Sequence, residues 1–201
     1  AAEEMRHRVR HLVGDDADKV WLSTFHSACL RILRRDIEAL GIKREFNVYD
    51  TGDQKTVVRN ILKDMNLSIK DNPPRIFLSH IDSAKNNPRT IDEIADFIRE
   101  EHGELATEVF LRYQKTLNQN HALDFNDLIN RTIELLKENP AILWKRQQQF
   151  QYLMVDEYQD TNQSQYELIR LLAGDRQNLM VVGDDDQSIY GFRGADIRNI
   201  Q

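Results

Sequence analysis

The sequence predicts an α/β fold, mostly helical overall, in which one sheet domain is interrupted by an all-helical insertion. Three observations predict it. Short apolar strands run into polar junctions near the C-terminal end, at Tyr152-Leu153-Met154-Val155 and Leu179-Met180-Val181-Val182. A strand-like run, Val20-Trp21-Leu22-Ser23-Thr24, lies near the start. Between them, helix follows helix. The order α/β, helical, α/β is best explained by a sheet domain carrying an insertion. The expected divisions are residues 1–50, 51–121 and 122–201.

Taken in order, residues 2–13 carry Met5, Val9, Leu12 and Val13 at helical spacing, with no cap ahead of them. After the strand-like run, residues 25–40 form an amphipathic pattern stopped by Gly41. Thr51-Gly52-Asp53-Gln54 and Thr90-Ile91-Asp92-Glu93 both match a capping box. Pro73-Pro74 suits a helix start, where a missing backbone donor is harmless. A further helix is expected over 104–121, and helices continue from Ala122-Leu123-Asp124-Phe125 to about Phe150. Residues 163–173 should form the helix between the last two strands, ended by Gly174.

The chain has 201 residues, 40% of them hydrophobic and 30% charged, enough for a real core without metals or disulfides. A single cysteine, Cys29, excludes an internal disulfide, and its place on an apolar helical pattern predicts a buried thiol. No stretch has the length of a membrane span, so the expected compartment is the cytoplasm. The net charge of −6 argues against a protein basic all over, while leaving room for a local nucleic-acid channel. Arg31, Arg34, Arg35, Lys43 and Arg44 form a modest basic cluster that a solvated helix face explains equally well. His80, His102 and His121 lack metal-ligand spacing and are expected to be ordinary residues.

The chemistry concentrates at the two late junctions. A strand that ends in Asp156-Glu157 can hold magnesium beside a nucleotide's terminal phosphate. In extended backbone the two side chains diverge, so one can bind metal-bound water while the other orients an attacking water. The second junction runs Gly183-Asp184-Asp185-Asp186-Gln187-Ser188-Ile189-Tyr190-Gly191-Phe192-Arg193. Gln187 both donates and accepts, which suits sensing a phosphate or a water. Tyr190 and Phe192 beside Arg193 suit stacking a base and meeting a phosphate, although packing explains Tyr190 as well.

The strings VDEYQDTN and VVGDDDQSIYGFRGAD closely resemble motifs II and III of the UvrD/Rep/PcrA group of superfamily-one DNA helicases. STFHSACLRILRR resembles the segment after that family's first DNA-contact motif, and ALDFNDLI the segment returning from its helical insertion. AAEEMRHRV resembles the tail of the motif written Thr-Asn-Lys-Ala-Ala. The resemblance covers essentially the whole chain.

It implies a RecA-like motor domain that is incomplete, since no Gly-Lys-Thr phosphate loop occurs here. It further implies that Asp156 holds Mg2+, that Glu157 activates water for ATP hydrolysis, and that Gln187 senses the γ-phosphate. Thr24, His26 and Ser27 would approach the DNA backbone, while Phe125, Tyr190, Phe192 and Arg193 would line a single-strand track. Phe192 stands where many relatives carry Trp, and Asn126 where many carry an acid. The implied parent translocates 3′ to 5′ on single-stranded DNA and unwinds single-strand/duplex junctions in repair or replication. Its partners would include repair or replication proteins, and the fragment is expected to be monomeric and inactive. The motor of a helicase–nuclease, and a helical module binding DNA or a protein without chemistry, are the alternatives.

Overall fold

The computed structural model describes residues 2–184. Helices dominate: α1 (Ala2–Val13), α2 (Phe25–Asp36), α3 (Thr51–Asp64), α4 (Pro74–Lys85), α5 (Ile91–Gln119), α6 (Phe125–Glu138), α7 (Pro140–Gln149) and α8 (Gln163–Ala173). Four short strands complete the described fold: β1 (Asn47–Val48), β2 (Ala122–Leu123), β3 (Leu153–Val155) and β4 (Leu179–Val181).

Side-chain caps set where these helices begin. Asp50 and Asp53 form a reciprocal box at α3, as do Thr90 and Glu93 at α5, Asp124 and Asp127 at α6, and Asn162 and Gln165 at α8. Each pair satisfies backbone donors that a helix start would otherwise leave bare. The box at α3 lies one residue earlier than the expected Thr51–Gln54 pair, because the carboxylate of Asp50 accepts from Asp53 N–H at 2.9 Å. Pro74 and Pro140 open α4 and α7, where no donor is needed.

One other stretch departs from expectation in detail. The apolar run after Phe25 is α2 followed by a 3-10 turn, Ile37–Leu40, and Gly41 ends it at φ 71°. Within α5 the backbone leaves helical geometry at Gly103, at φ 80° and ψ 179°, so its second half starts at 104 as expected and ends at Gln119.

The strands pair in two parallel ladders. Asn47 faces Ala122 and Val48 faces Leu123. The helical stretch therefore leaves from one strand and returns on its neighbour. Sequence periodicity misses both strands because two residues show no alternation. In the second ladder Leu153, Met154 and Val155 face Leu179, Met180 and Val181, with α8 as the crossover. Despite its apolar sequence the ladder is largely open: Met154 is 75% exposed and Met180 54%. Among the described residues, nothing covers that side of the ladder. Val20–Thr24 joins no ladder among the described residues, so the strand expected there is replaced by extended chain leading to the cap of α2.

Two apolar cores form. One gathers α3, α4 and α5 around Val58, Leu62, Ile81, Ile98, Phe110 and Leu117. The other gathers α2, α6 and α8 around Cys29, Ile32, Leu33, Leu128, Leu136 and Leu168. The Cys29 thiol is fully buried, which pushes its pKa up to about 12 against the weaker opposing effect of a hydrogen bond with Thr132. It is core and not a nucleophile.

The cores meet at an ion cluster. Lys85, at the end of α4, donates to Asp124 at 2.7 Å and to Asp127 at 2.8 Å, and all three residues are buried. Tyr113 of α5 donates to the same Asp124 oxygen at 3.0 Å. Burial opposes the charge on Lys85, but the two carboxylates prevail and its pKa is raised. Burial likewise opposes the charge on Asp124, and Lys85 prevails, so Asp124 lies low. Asp127 is raised, by burial and by the charge of Asp124.

Removing the cation leaves two buried carboxylates without a counter-charge, so Lys85→Ala is expected to destabilise the chain by about 3–5 kcal/mol at neutral pH. In that variant both folded-state carboxyl pKa values lie above their unfolded values of about 4. The folded state then binds more protons, and stability is lost as pH rises through the raised values. Urea unfolding at pH 4.5 and 7.5 should show a smaller penalty at the lower pH; an equal penalty would contradict this account.

Candidate functional site

The site begins where β3 stops. The ladder continues past Val155 through two backbone bonds, Val182 N–H to Val155 O at 2.8 Å and Tyr158 N–H to Val182 O at 3.0 Å. Asp156 and Glu157 are the residues between those bonds, and both are exposed. Glu157 adopts φ 52° and ψ 42°, a left-handed conformation uncommon outside glycine. The side chains of Asp156 and Glu157 are therefore separated by a backbone kink, and not by the extended alternation that the sequence suggested. One Asp156 oxygen accepts from Glu157 N–H at 3.0 Å.

The residues that follow lock the kink in place. Tyr158, Gln159 and Thr161 are buried. Thr161 donates its hydroxyl to Tyr158 O at 2.7 Å, and Asn162 caps α8. Asn162 also reaches the insertion, donating to the Asn86 side chain at 3.0 Å, while Ser164 N–H donates to Asn86 O at 3.1 Å. Gln159 donates to Glu157 at 2.7 Å, and its oxygen accepts from Asp184 N–H at 3.0 Å. The sequence alone assigned no individual role to Gln159 or Asn162. The available signal was a neutral amide two residues after the acid pair, a spacing that a 3-10 turn folds back onto it.

A magnesium ion suits this donor set. Mg2+ is bound through one or two carboxylates and keeps several waters, with phosphate oxygens completing its shell. Asp156 supplies one accessible carboxylate. Among the described residues there is no group of three or more His, Cys, Asp or Glu that could cage an ion alone.

A second group of expected site residues comes together at the starts of α2 and α6. Thr24, Ser27 and Phe125 are exposed and His26 is half-buried. The rings of His26 and Phe125 meet edge to face, 5.6 Å between centroids. Burial lowers the pKa of His26, so it faces this surface as a neutral ring near pH 7. Thr24 caps α2, its Oγ1 accepting from Ser27 N–H at 3.3 Å and bonding the Ser27 hydroxyl at 3.0 Å. Asn126, beside Phe125, donates to Asp82 at 2.8 Å, a bond that an acid at this position could not make while ionised. Gln187, Tyr190, Phe192 and Arg193 lie outside the described residues.

Part of the basic cluster serves packing. Arg31 lies over Trp21, 4.4 Å from the ring centre, and Arg34 over Phe46 at 4.0 Å. His80 and His102, expected to be ordinary residues, stack with ring centroids 3.6 Å apart.

The UvrD/REP helicase N-terminal domain model matches residues 1–201. The chain belongs to that family. Within the UvrD/REP family, it is 50% identical over 200 residues to the ATP-dependent DNA helicase PcrA of Staphylococcus epidermidis, covering 100% of this chain and 27% of that protein. PcrA of Staphylococcus aureus gives the same identity and coverage. The chain thus spans about a quarter of the length of the curated relatives it matches. No helix among the described residues is long and apolar enough to cross a membrane.

The Thr24 cap is a structural duty that can be measured apart from any ligand. Thr24→Ala is expected to lower stability by about 1 kcal/mol, with Thr24→Asn restoring most of it. Thermal unfolding of both variants is the check; an unchanged Thr24→Ala midpoint would show that the hydroxyl does not support α2.

Proposed function

We propose that this chain is part of the first motor domain of an ATP-dependent DNA helicase, a RecA-like sheet interrupted by a helical insertion at residues 51–121. Hydrolysis of Mg-ATP drives 3′-to-5′ movement on single-stranded DNA and opening of single-strand/duplex junctions. The observation that carries the reading is the strand β3 ending on an exposed Asp156 and a Glu157 turned by left-handed backbone. The two separate cores and the parallel β1–β2 closure support the domain division. The PcrA proteins' printed names, at 50% identity, support the activity.

Asp156 would bind the magnesium ion through its accessible carboxylate. When bound, that ion supplies positive charge to the phosphate oxygens and to the leaving group. Glu157, held by Gln159, takes the proton of the attacking water and orients its lone pair. Gln187 senses the γ-phosphate. The starts of α2 and α6 present exposed Thr24, Ser27 and Phe125 with a neutral His26 to one DNA strand. Helix starts favour phosphates, and the aromatic ring of Phe125 offers a base a stacking face. By the resemblance, Tyr190, Phe192 and Arg193 would also contact single-stranded DNA.

In the full-length gene product, Glu157→Gln should keep ATP binding and lose about 10²–10⁴-fold in DNA-stimulated turnover. Turnover near that of the parent sinks the assignment of Glu157. The 201 residues by themselves contain no Gly-Lys-Thr or Gly-Lys-Ser phosphate loop. Without that cradle they should bind Mg-ATP too weakly for isothermal titration to detect and should hydrolyse none. Micromolar affinity would mean that the phosphates are held by residues other than a loop of this kind.

A further inference from the structure

Gln159 is buried, 2% exposed, beside a carboxylate that is open to solvent. Its Nε2 donates to Glu157 Oε2 at 2.7 Å, and its Oε1 accepts from Asp184 N–H at 3.0 Å. The amide's orientation is forced by its neighbours. A backbone N–H can only donate, and an ionised carboxylate can only accept, so the oxygen must face Asp184 and the nitrogen Glu157. Among the described residues, Gln159 is the hydrogen-bond partner of the Glu157 carboxylate.

The far side of the amide is equally constrained. A Cβ added to Gly183 would lie 2.7 Å from Gln159 Oε1 and 3.2 Å from Gln159 N, so a side chain there would push the amide oxygen aside and crowd the backbone. The backbone on either side is pinned through Val182 by its bonds with Val155 and Tyr158. Gln159 therefore spans from the exit of β4 to the tip of the acid pair. Its carboxamide is planar and its length is fixed. A displacement of the Gly183–Asp184 backbone stretches one bond or the other.

We propose that Gln159 is a positioning residue that sets the orientation of Glu157 and ties it to the placement of the Gly183–Asp184 backbone. The tie makes water activation depend on where that backbone sits, so a displaced backbone releases the carboxylate from its hydrogen bond. This inference rests on the reading of Glu157 as the water-activating group.

The test is steady-state ATP hydrolysis by the full-length gene product with single-stranded DNA. Gln159→Glu keeps the shape but sets a second carboxylate against Glu157. Like charges at that distance repel and turn the Glu157 carboxylate away, so kcat should fall on the order of 10–10²-fold with the KM for ATP changed by less than about 2-fold. Gly183→Ala leaves Gln159 intact and pushes on its oxygen, and should lower kcat on the order of 10–10²-fold with the KM for ATP changed by less than about 2-fold.

A merely structural role would lower the amount of folded enzyme and leave kcat per folded enzyme parental. Parental kcat per folded enzyme in Gln159→Glu overturns the proposal even where Glu157→Gln is inactive. Normal turnover in Glu157→Gln overturns the reading of Glu157 and this proposal with it. Should Gln159→Glu fail to fold, the kcat and KM of Gly183→Ala decide alone.

Discussion

The structure depends on one buried lysine. Lys85 ends a helix of the insertion, and the acids that neutralise it are the capping pair of α6. The two acids are satisfied on every oxygen: each caps the other's backbone N–H, Lys85 reaches both, and Tyr113 completes Asp124. Such a cluster is weak evidence for net stability, because removing three charges from water costs several kcal/mol per ion. Its value is geometric. The insertion can pack against α6 only in the register that brings Lys85 between those carboxylates, since any other register leaves charge buried and unpaired.

That register is passed on toward both candidate sites. Phe125 directly follows Asp124, so the cap that holds Lys85 also places the ring against His26 at the start of α2. In the other direction, Lys85 O accepts from Asn130 at 2.8 Å, Asn130 bonds Ser164 at 2.8 Å, and Asn86 holds Asn162. Asn162 is the cap of α8 and the last residue of the turn begun by Asp156 and Glu157. The end of α4 thus touches the supports of the acid pair and of the aromatic surface. None of these links needs a long-range charge effect; toward the acid pair each is a single hydrogen bond between residues partly or wholly shielded from water, and toward α2 the link is an edge-to-face ring contact.

Much of this was legible in the sequence, and the illegible parts share a cause. α8 has the expected limits, because Asn162, Gln165 and Gly174 are local signals of its start and stop. The helix opened by Thr90 and Glu93 and the proline starts were legible for the same reason. Missed features depend on residues far apart in the chain. β1 and β2 are two residues each and exist only because they meet across the whole insertion. Lys85, Asp124 and Asp127 look like surface charges until the fold brings together positions 39 or more residues apart. At the site, the acid pair announced itself, but its left-handed turn did not. Glutamate has no preference for that conformation, and long-range bonds to Val182 and Asp184 flank it.

The turn also explains why the acid pair is followed by so many buried polar groups. A non-glycine residue in left-handed backbone costs on the order of 1–3 kcal/mol and persists only where its surroundings over-determine it. Tyr158 pairs with Val182, Thr161 closes the 3-10 turn, Asn162 starts α8, and Gln159 bonds the carboxylate itself. The strain and its supports are adjacent in sequence but anchored in three different elements: β4, α8 and the end of α4. A carboxylate held this way is exposed yet fixed, which a flexible glutamate on a loop is not. Orienting a water requires that combination, because the group must be reachable by solvent and still point in one direction. The polar string after Asp156-Glu157 is thus the machinery that holds the second acid in place.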